Sequence, residues 1–318
     1  MNASLLLNRL IPILHEDERI LAVAKPAGVD VGGLANGTST GLVELVAMLR
    51  GRNETLHPAN RLSRFESGVL LLGKDPGTAA RIRAALKSLR LEQEYVAVVN
   101  GRMKKPMLVV DAQRDSSPEK PENGKRPVRR SRSAARATRP VSPGSRTILR
   151  RLEQGEHRTL IRCETTTPTT HALRAQLRSA GLRLVGDRLH DRSIRPTAHE
   201  DTCLHLARVR LQLPGQKEPM TLRSPAPEGF AAAVRGERGL ERLLHAALTR
   251  RLPCLLEPDT DSFRLLTGPV EGIAGLIAEK YGPVVILQVL ESSPRWLESL
   301  PAIARWYRDL LQVRAVYV

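Results

Sequence analysis

Aromatic residues are scarce in this chain. Phe, Trp and Tyr make up only 3% of its 318 residues, which argues against a broad base-stacking platform. Cysteines are few as well. Cys163, Cys203 and Cys254 lie far apart and form no C-x-x-C pair, so the spacing offers no zinc or iron–sulfur site. Scattered thiols fit a reducing cytoplasm. His190, His199 and His205 match no ligand spacing either, and no metal is expected. No run of 18 apolar residues occurs, so no membrane-spanning helix is expected. The opening MNASLLLNRLIPILHEDER has little leading charge and no small-residue cleavage site, unlike a signal peptide, which adds to the expectation of a cytoplasmic protein. Acids are outnumbered: 50 Lys and Arg face 33 Asp and Glu, a formal charge of +17. Such an excess points to a polyanionic partner, with nucleic acid the default. A membrane surface is not favoured, because no basic amphipathic helix carries an aromatic apolar face.

The length allows two domains with cores of their own. The stretch that organises the first is 57–74, HPANRLSRFESGVLLLGK. The apolar run after Gly68 predicts a buried strand. Arg61, Arg64 and Glu66 stand at its entrance, where side chains either pair in a solvated loop or face a cleft. Upstream, Ile20–Lys25 is apolar on both alternations, as in a strand buried on both faces. Glu16, Asp17 and Glu18 precede it in what should be an exposed turn. Leu42, Leu45, Val46 and Leu49 share one helical face within 40–51, and 77–90 forms a second amphipathic helix. Tyr95 falls in an apolar segment and by itself reads as a core strand residue.

Residues 113–147 change character. They are rich in Pro, Ser, Gly and Arg and poor in large apolar residues, a composition that does not offset its ordering entropy. A disordered basic insertion is expected. Either it is a phosphate-contacting arm carrying Arg129, Arg130 and Arg132, or it is a tolerated surface insertion.

The motif at 57–74 resembles that of the RluA-type pseudouridine synthases, roughly HRLDxxTSGxxLLAK. Arg61, Leu62, Ser67, Gly68, Leu71, Leu72 and Lys74 match it. Asn60 stands where the family has His, Glu66 where it has Thr, and Ser63 where it has its catalytic Asp. Three further blocks follow in order. Lys25-Pro26-Ala27-Gly28 matches the family's opening. Tyr95 falls on its active-site tyrosine. Thr170, His171, Arg174, Val185, Gly186 and Asp187 match its helix block, with Thr169 and Ala172 replacing Arg and Gln. The resemblance covers about 10–230. It implies an α+β fold with a mixed, mainly antiparallel sheet and flanking helices over 1–232. It also implies catalytic positions at Ser63, Tyr95 and Arg174, RNA contacts by Lys25, Arg61, Arg64 and His171, and no cofactor. A serine hydroxyl needs an adjacent base to act as a nucleophile, and Glu66 is the nearest acid in the motif, not expected to point at the sugar. With Ser63 opposite it, Arg174 is expected to carry an unbalanced charge that attracts an anion or water.

Residues 237–318 form a small α+β module in the same reading. TDSFRLLTGPVEGIAGLIAEKYGPVVILQVL is similar to the segment that precedes the catalytic domain of RlmI-type ribosomal RNA cytosine methyltransferases, on Phe263, Arg264, Gly268, Glu271, Gly272, Gly275, Tyr281 and Gly282. The S-adenosylmethionine-binding domain found next in those enzymes does not follow within these residues. That leaves a fragment of a longer protein or a module parted from its catalytic partner. The leading expectation is an inactive synthase fold that binds ribosomal or transfer RNA and serves a methyltransferase. An active synthase using another acid, and a non-enzymatic ribosome-assembly protein, are the alternatives.

Overall fold

The computed structural model describes residues 8–33, 41–50, 54–87, 92–111, 146–165, 170–187, 202–213, 217–235, 240–256, 259–271, 273–290 and 294–318. The insertion at 113–147 lies outside these, apart from Arg146 and Thr147. So do Arg129, Arg130, Arg132, His190 and His199. Among the described residues no helix is long and apolar enough to cross a membrane.

The fold is α+β. An 11-stranded sheet carries the main path β1-β2-β4-β10-β5-β8-β7-β6. Its strands are β1 (Ile13–Glu16), β2 (Ile20–Lys25), β3 (His57–Pro58), β4 (Ser67–Gly73), β5 (Glu92–Asn100), β6 (Met107–Asp111), β7 (Arg146–Gln154), β8 (Arg158–Thr165), β9 (Arg183–Leu184), β10 (Leu204–Leu211) and β11 (Met220–Arg223). All its pairings are antiparallel except β4 with β10, which run parallel through Ser67↔His205 and Leu206↔Gly68. The apolar run at 69–72 became the fully buried β4, and β2 is buried on both faces as its doubled alternation predicts.

Gly68 is what lets β4 and β10 meet. It sits at φ +120°, and a Cβ there would lie 2.3 Å from the Leu206 carbonyl oxygen. Only glycine fits such a site without moving backbone.

Helices flank the sheet: α1 (Leu42–Leu49), α2 (Pro76–Lys87), α3 (Thr170–Ser179) and α4 (Gly229–Val234). The face of α1 that is buried is the one its spacing marks: Leu42, Leu45, Val46 and Leu49. α4 covers part of the sheet's second face through Phe230, Ala233 and Val234, clustered with Val96 and Val98.

After α5 (Leu240–Arg250) and α6 (Leu252–Leu256), a four-stranded sheet β12-β13-β14-β15 closes the chain, built from Ser262–Leu266, Leu276–Tyr281, Val284–Val289 and Ala315–Tyr317. α7 (Leu300–Leu311) bridges β14 to the parallel β15. One continuous buried cluster runs from Leu21, Val23, Leu70 and Leu72 of the large sheet to Leu248, Leu265, Leu276 and Tyr307. The two sheets thus bury their apolar faces together.

Gly68→Ala should destabilise the protein by well over 1 kcal/mol, since both its φ and its contact with Leu206 exclude a side chain. Denaturant unfolding measures this, and a near-neutral substitution would show that the β4–β10 approach is looser than described.

Candidate active site

The motif loop 59–66 turns into β4 and is fixed by its own polar groups. Asn60 pairs with β4 in both directions: its Nδ2 donates to the Val69 carbonyl at 2.9 Å and its Oδ1 accepts from the Leu71 N–H at 2.8 Å. It serves as a strand mimic. A turn follows in which the Glu66 N–H donates to the Ser63 carbonyl at 3.1 Å. The Glu66 side chain closes the same turn, with Oε2 accepting from the Ser63 N–H at 2.7 Å.

That arrangement aims the other Glu66 oxygen inward. Oε1 meets the Arg174 Nη2, and the Arg174 Nη1 donates to Asp187 Oδ1 at 3.2 Å. Arg174 sits on the inward face of α3 with Leu173 and Leu177, and Asp187 follows the short β9. All three charged groups are buried. Arg174 therefore carries no unbalanced charge: the expectation of an anion-attracting guanidinium is corrected, because Glu66 and Asp187 both reach it. A buried charge must be paired, and a glutamate at position 66 is long enough to do so from its own turn.

Lys25 is buried as well. Its side chain is 1% exposed, and Nζ donates to the carbonyls of Pro26 at 2.9 Å, Arg64 at 3.2 Å and Glu66 at 2.7 Å. An ammonium has three protons, and here backbone takes all three. Lys25 ties the 26–28 loop to the motif loop. The tie is doubled by the Gly28 N–H donating to the Arg64 carbonyl at 2.7 Å and by the Arg64 Nε donating to the Gly28 carbonyl at 3.1 Å.

Tyr95 lies under this cluster on β5. It is buried in the core, and its hydroxyl donates to Gln93 Oε1 at 3.3 Å. Burial pushes its phenol pKa far up, with the nearby Glu66 charge adding to the effect. It stays a neutral hydrogen-bond donor. Ser63, Arg61 and Arg64 are exposed on the loop, and His171 is exposed in the first turn of α3. The structure thus gathers the Ser63 backbone, Tyr95 and Arg174 around Glu66, and leaves the side chains of Arg61, Arg64 and His171 exposed.

Two partners went unassigned in the sequence. Asp187 matches the helix block but carried no role there. His205 pairs with the motif: Ser67 Oγ and His205 Nδ1 are 2.8 Å apart, and His205 Nε2 lies 3.1 Å from the Ser224 carbonyl. A carbonyl only accepts, so Nε2 carries the proton and Nδ1 accepts from Ser67. Burial lowers the His205 pKa to about 4.

Chemically, the site holds one carboxylate at the motif turn, Glu66, and both of its oxygens are engaged. The serine hydroxyl at 63 supplies no charge. The family described as RNA pseudouridylate synthase matches residues 19–179. The ribosomal large subunit pseudouridine synthase C of Escherichia coli K12 is 30% identical over 245 residues, covering 74% of this chain and 70% of that protein. This chain belongs to the RNA pseudouridylate synthase family. The Vibrio vulnificus protein of the same name is 25% identical over 232 residues, with 71% and 69% covered. Among solved structures, human RNA pseudouridylate synthase domain containing 4 superposes with a TM-score of 0.52 at 22% identity, covering 76% of this chain and 96% of that one. Human RNA pseudouridylate synthase domain containing 1 gives 0.51 at 19%, covering 71% and 86%. Both share the fold.

His205 gives a pH prediction. Its folded pKa of about 4 lies below the usual 6.5, so the unfolded chain binds the proton more readily. Stability is then full above about pH 6.5 and is lost as pH falls toward 4, by on the order of 3 kcal/mol at most. Denaturant unfolding at a series of pH values should show this slope, and His205→Gln should flatten it. An unchanged slope in the variant would assign the acid sensitivity elsewhere.

Proposed function

We propose that this chain binds ribosomal RNA across the motif cleft and does not isomerise uridine there. One observation carries the reading. The carboxylate at the motif turn, Glu66, is 1% exposed and is held by the Arg174 guanidinium and the Ser63 N–H. Chemistry at a sugar carbon calls for an ionised oxygen that can approach it. Ser63 is the exposed group at the family's Asp position, and a neutral hydroxyl is a poor nucleophile without a base. The remaining parts suit binding. Arg61, Arg64 and His171 rim the cleft, and the chain carries +17 overall. Guanidinium groups at a rim favour phosphate. Tyr95 backs the motif turn from the core, and Arg174 acts through Glu66 and Asp187 as the post that holds that turn in place.

The second part of the proposal concerns residues 237–318. Their likeness to the segment preceding the catalytic domain of cytosine methyltransferases supports a role in presenting bound RNA to a methyltransferase, in cis or in a partner, within the cytoplasm. The shared core would fix that module relative to the cleft.

One observation favours an active synthase. The Glu66 carboxylate sits in the motif turn, hydrogen-bonded to the Ser63 N–H, so a turn rearrangement on RNA binding that also broke its ion pair with Arg174 would free it as the acid.

Mapping pseudouridine and methylcytosine in ribosomal and transfer RNA, with and without the gene, separates these readings. The expected result is an unchanged pseudouridine map and the loss of a methylcytosine. A pseudouridine that disappears on deletion and returns with the wild-type gene, but not with Glu66→Gln, would establish catalysis through Glu66. Ser63→Ala should restore whatever the wild type restores.

A further inference from the structure

The large sheet has a second face, turned away from Tyr95 and Glu66. Side chains alternate along each strand, so the residues beside Tyr95 on β5, Glu94 and Val96, point the other way. α4 covers Val96 and Val98. The end of the same face that α4 leaves open carries charged residues across five strands. Arg208 stands opposite both Glu94 and Arg223, and Arg210 opposite Glu92. Glu94 stands opposite Glu164, and Arg162 opposite Arg150.

Ion pairs lace this band. Arg162 and Arg208 both reach Glu94, at 3.3 and 3.2 Å. Arg150 reaches Glu164 at 3.4 Å, and Arg210 reaches Glu92 at 3.3 Å. The charges do not balance. Five arginines (150, 162, 208, 210 and 223) share three glutamates (92, 94 and 164). Among the described residues the buried Nε of Arg208 finds no hydrogen-bond partner. Three like-charge pairs also sit directly opposed: Arg208 with Arg223, Arg150 with Arg162, and Glu94 with Glu164. Opposed like charges weaken a sheet, so stability alone gives no account of the pattern.

We propose that this band is a second RNA surface, which grips the phosphate backbone on the side of the sheet opposite the cleft. The outer pairs, Arg210–Glu92 and Arg150–Glu164, are largely exposed, and such pairs are weak, so their guanidiniums exchange carboxylate for phosphate with little loss. The planar guanidinium fork then takes phosphate bidentately. In the free protein the glutamates hold the arginines extended and spaced. The β6–β7 hairpin, whose ends Asp111 and Arg146 flank the basic stretch 112–145, lies at the same end of the sheet, and Arg146 shares the face of Arg150. The surface itself consists of sheet residues. The inference rests on the RNA-binding reading above and extends it from one face to two.

The test is the salt dependence of binding by the full chain to a large-subunit ribosomal RNA stem-loop. Arg162→Gln, Arg208→Gln and Arg210→Gln combined should lower the slope of log K against log salt by about two, at roughly 0.7–0.9 per contact, and weaken binding by about tenfold or more at fixed salt. Glu94→Gln should do the reverse and tighten binding, since it removes a carboxylate that competes with phosphate. A role confined to sheet structure predicts weaker folding and unchanged binding for both. A folded triple variant with the wild-type slope, or a Glu94→Gln protein that binds no tighter, overturns the second surface and leaves the cleft reading intact. Wild-type protein that binds no RNA overturns both. Should the triple variant misfold, Glu94→Gln and the exposed Arg210→Gln decide the matter alone.

Discussion

The guanidinium of Arg174 is the constraint on which the site depends. It is buried on the inner face of α3, where an unpaired charge costs several kcal/mol. Glu66 and Asp187 both meet it, from opposite ends of the fold. Meeting it fixes the motif turn, because the Glu66 carboxylate also holds the Ser63 N–H. The turn in turn presents the carbonyls of Arg64 and Glu66 to Lys25. Two buried cations and two buried carboxylates thus balance within one neighbourhood, and the loop that would present a reactive acid is stitched to its surroundings.

The C-terminal module extends this rigidity. Arg251, just past α5, pairs with the fully buried Glu271 at 2.5 Å, while Glu271 Oε2 accepts from the N–H groups of Thr267 and Gly268, each at 3.0 Å. A Cβ at Gly28 would sit 3.6 Å from the Ala246 carbonyl of α5. The loop that Lys25 anchors therefore lies against the helix that leads into the second sheet. The motif loop and the C-terminal module therefore belong to one packed body.

The regular elements could be read from the chain because periodicity dictates them. The α1 face, the doubly buried β2 and the run of β4 all follow from where apolar residues recur. The motif frame also drew together residues that surround Glu66: the Ser63 backbone, Tyr95 and Arg174. What could not be read was pairing across distance. Glu66 and Arg174 are 108 positions apart, and spacing within the motif says nothing about which buried charge meets which. Position-by-position likeness assigned Arg174 a missing partner, whereas a carboxylate three residues along, with one more methylene than aspartate, reaches it. The backbone partners of Lys25 were hidden in a similar way. A lysine beside a glycine-rich loop in a basic chain suggests phosphate, and only burial with three backbone carbonyls shows that its protons are already taken. His205 gave no signal because its partner Ser67 lies on a strand adjacent only in three dimensions.

The account turns on Glu66 being the committed counter-ion of Arg174. A double-mutant cycle of Glu66→Gln and Arg174→Met, read by denaturant unfolding at neutral pH, tests this most directly. Arg174→Met strands both Glu66 and Asp187 and should cost about 3–5 kcal/mol, whereas in the Glu66→Gln background, where Asp187 alone is stranded, the same substitution should cost measurably less. Additive costs would mean that Glu66 does not depend on Arg174, leaving its carboxylate free for chemistry and the non-catalytic reading without its foundation.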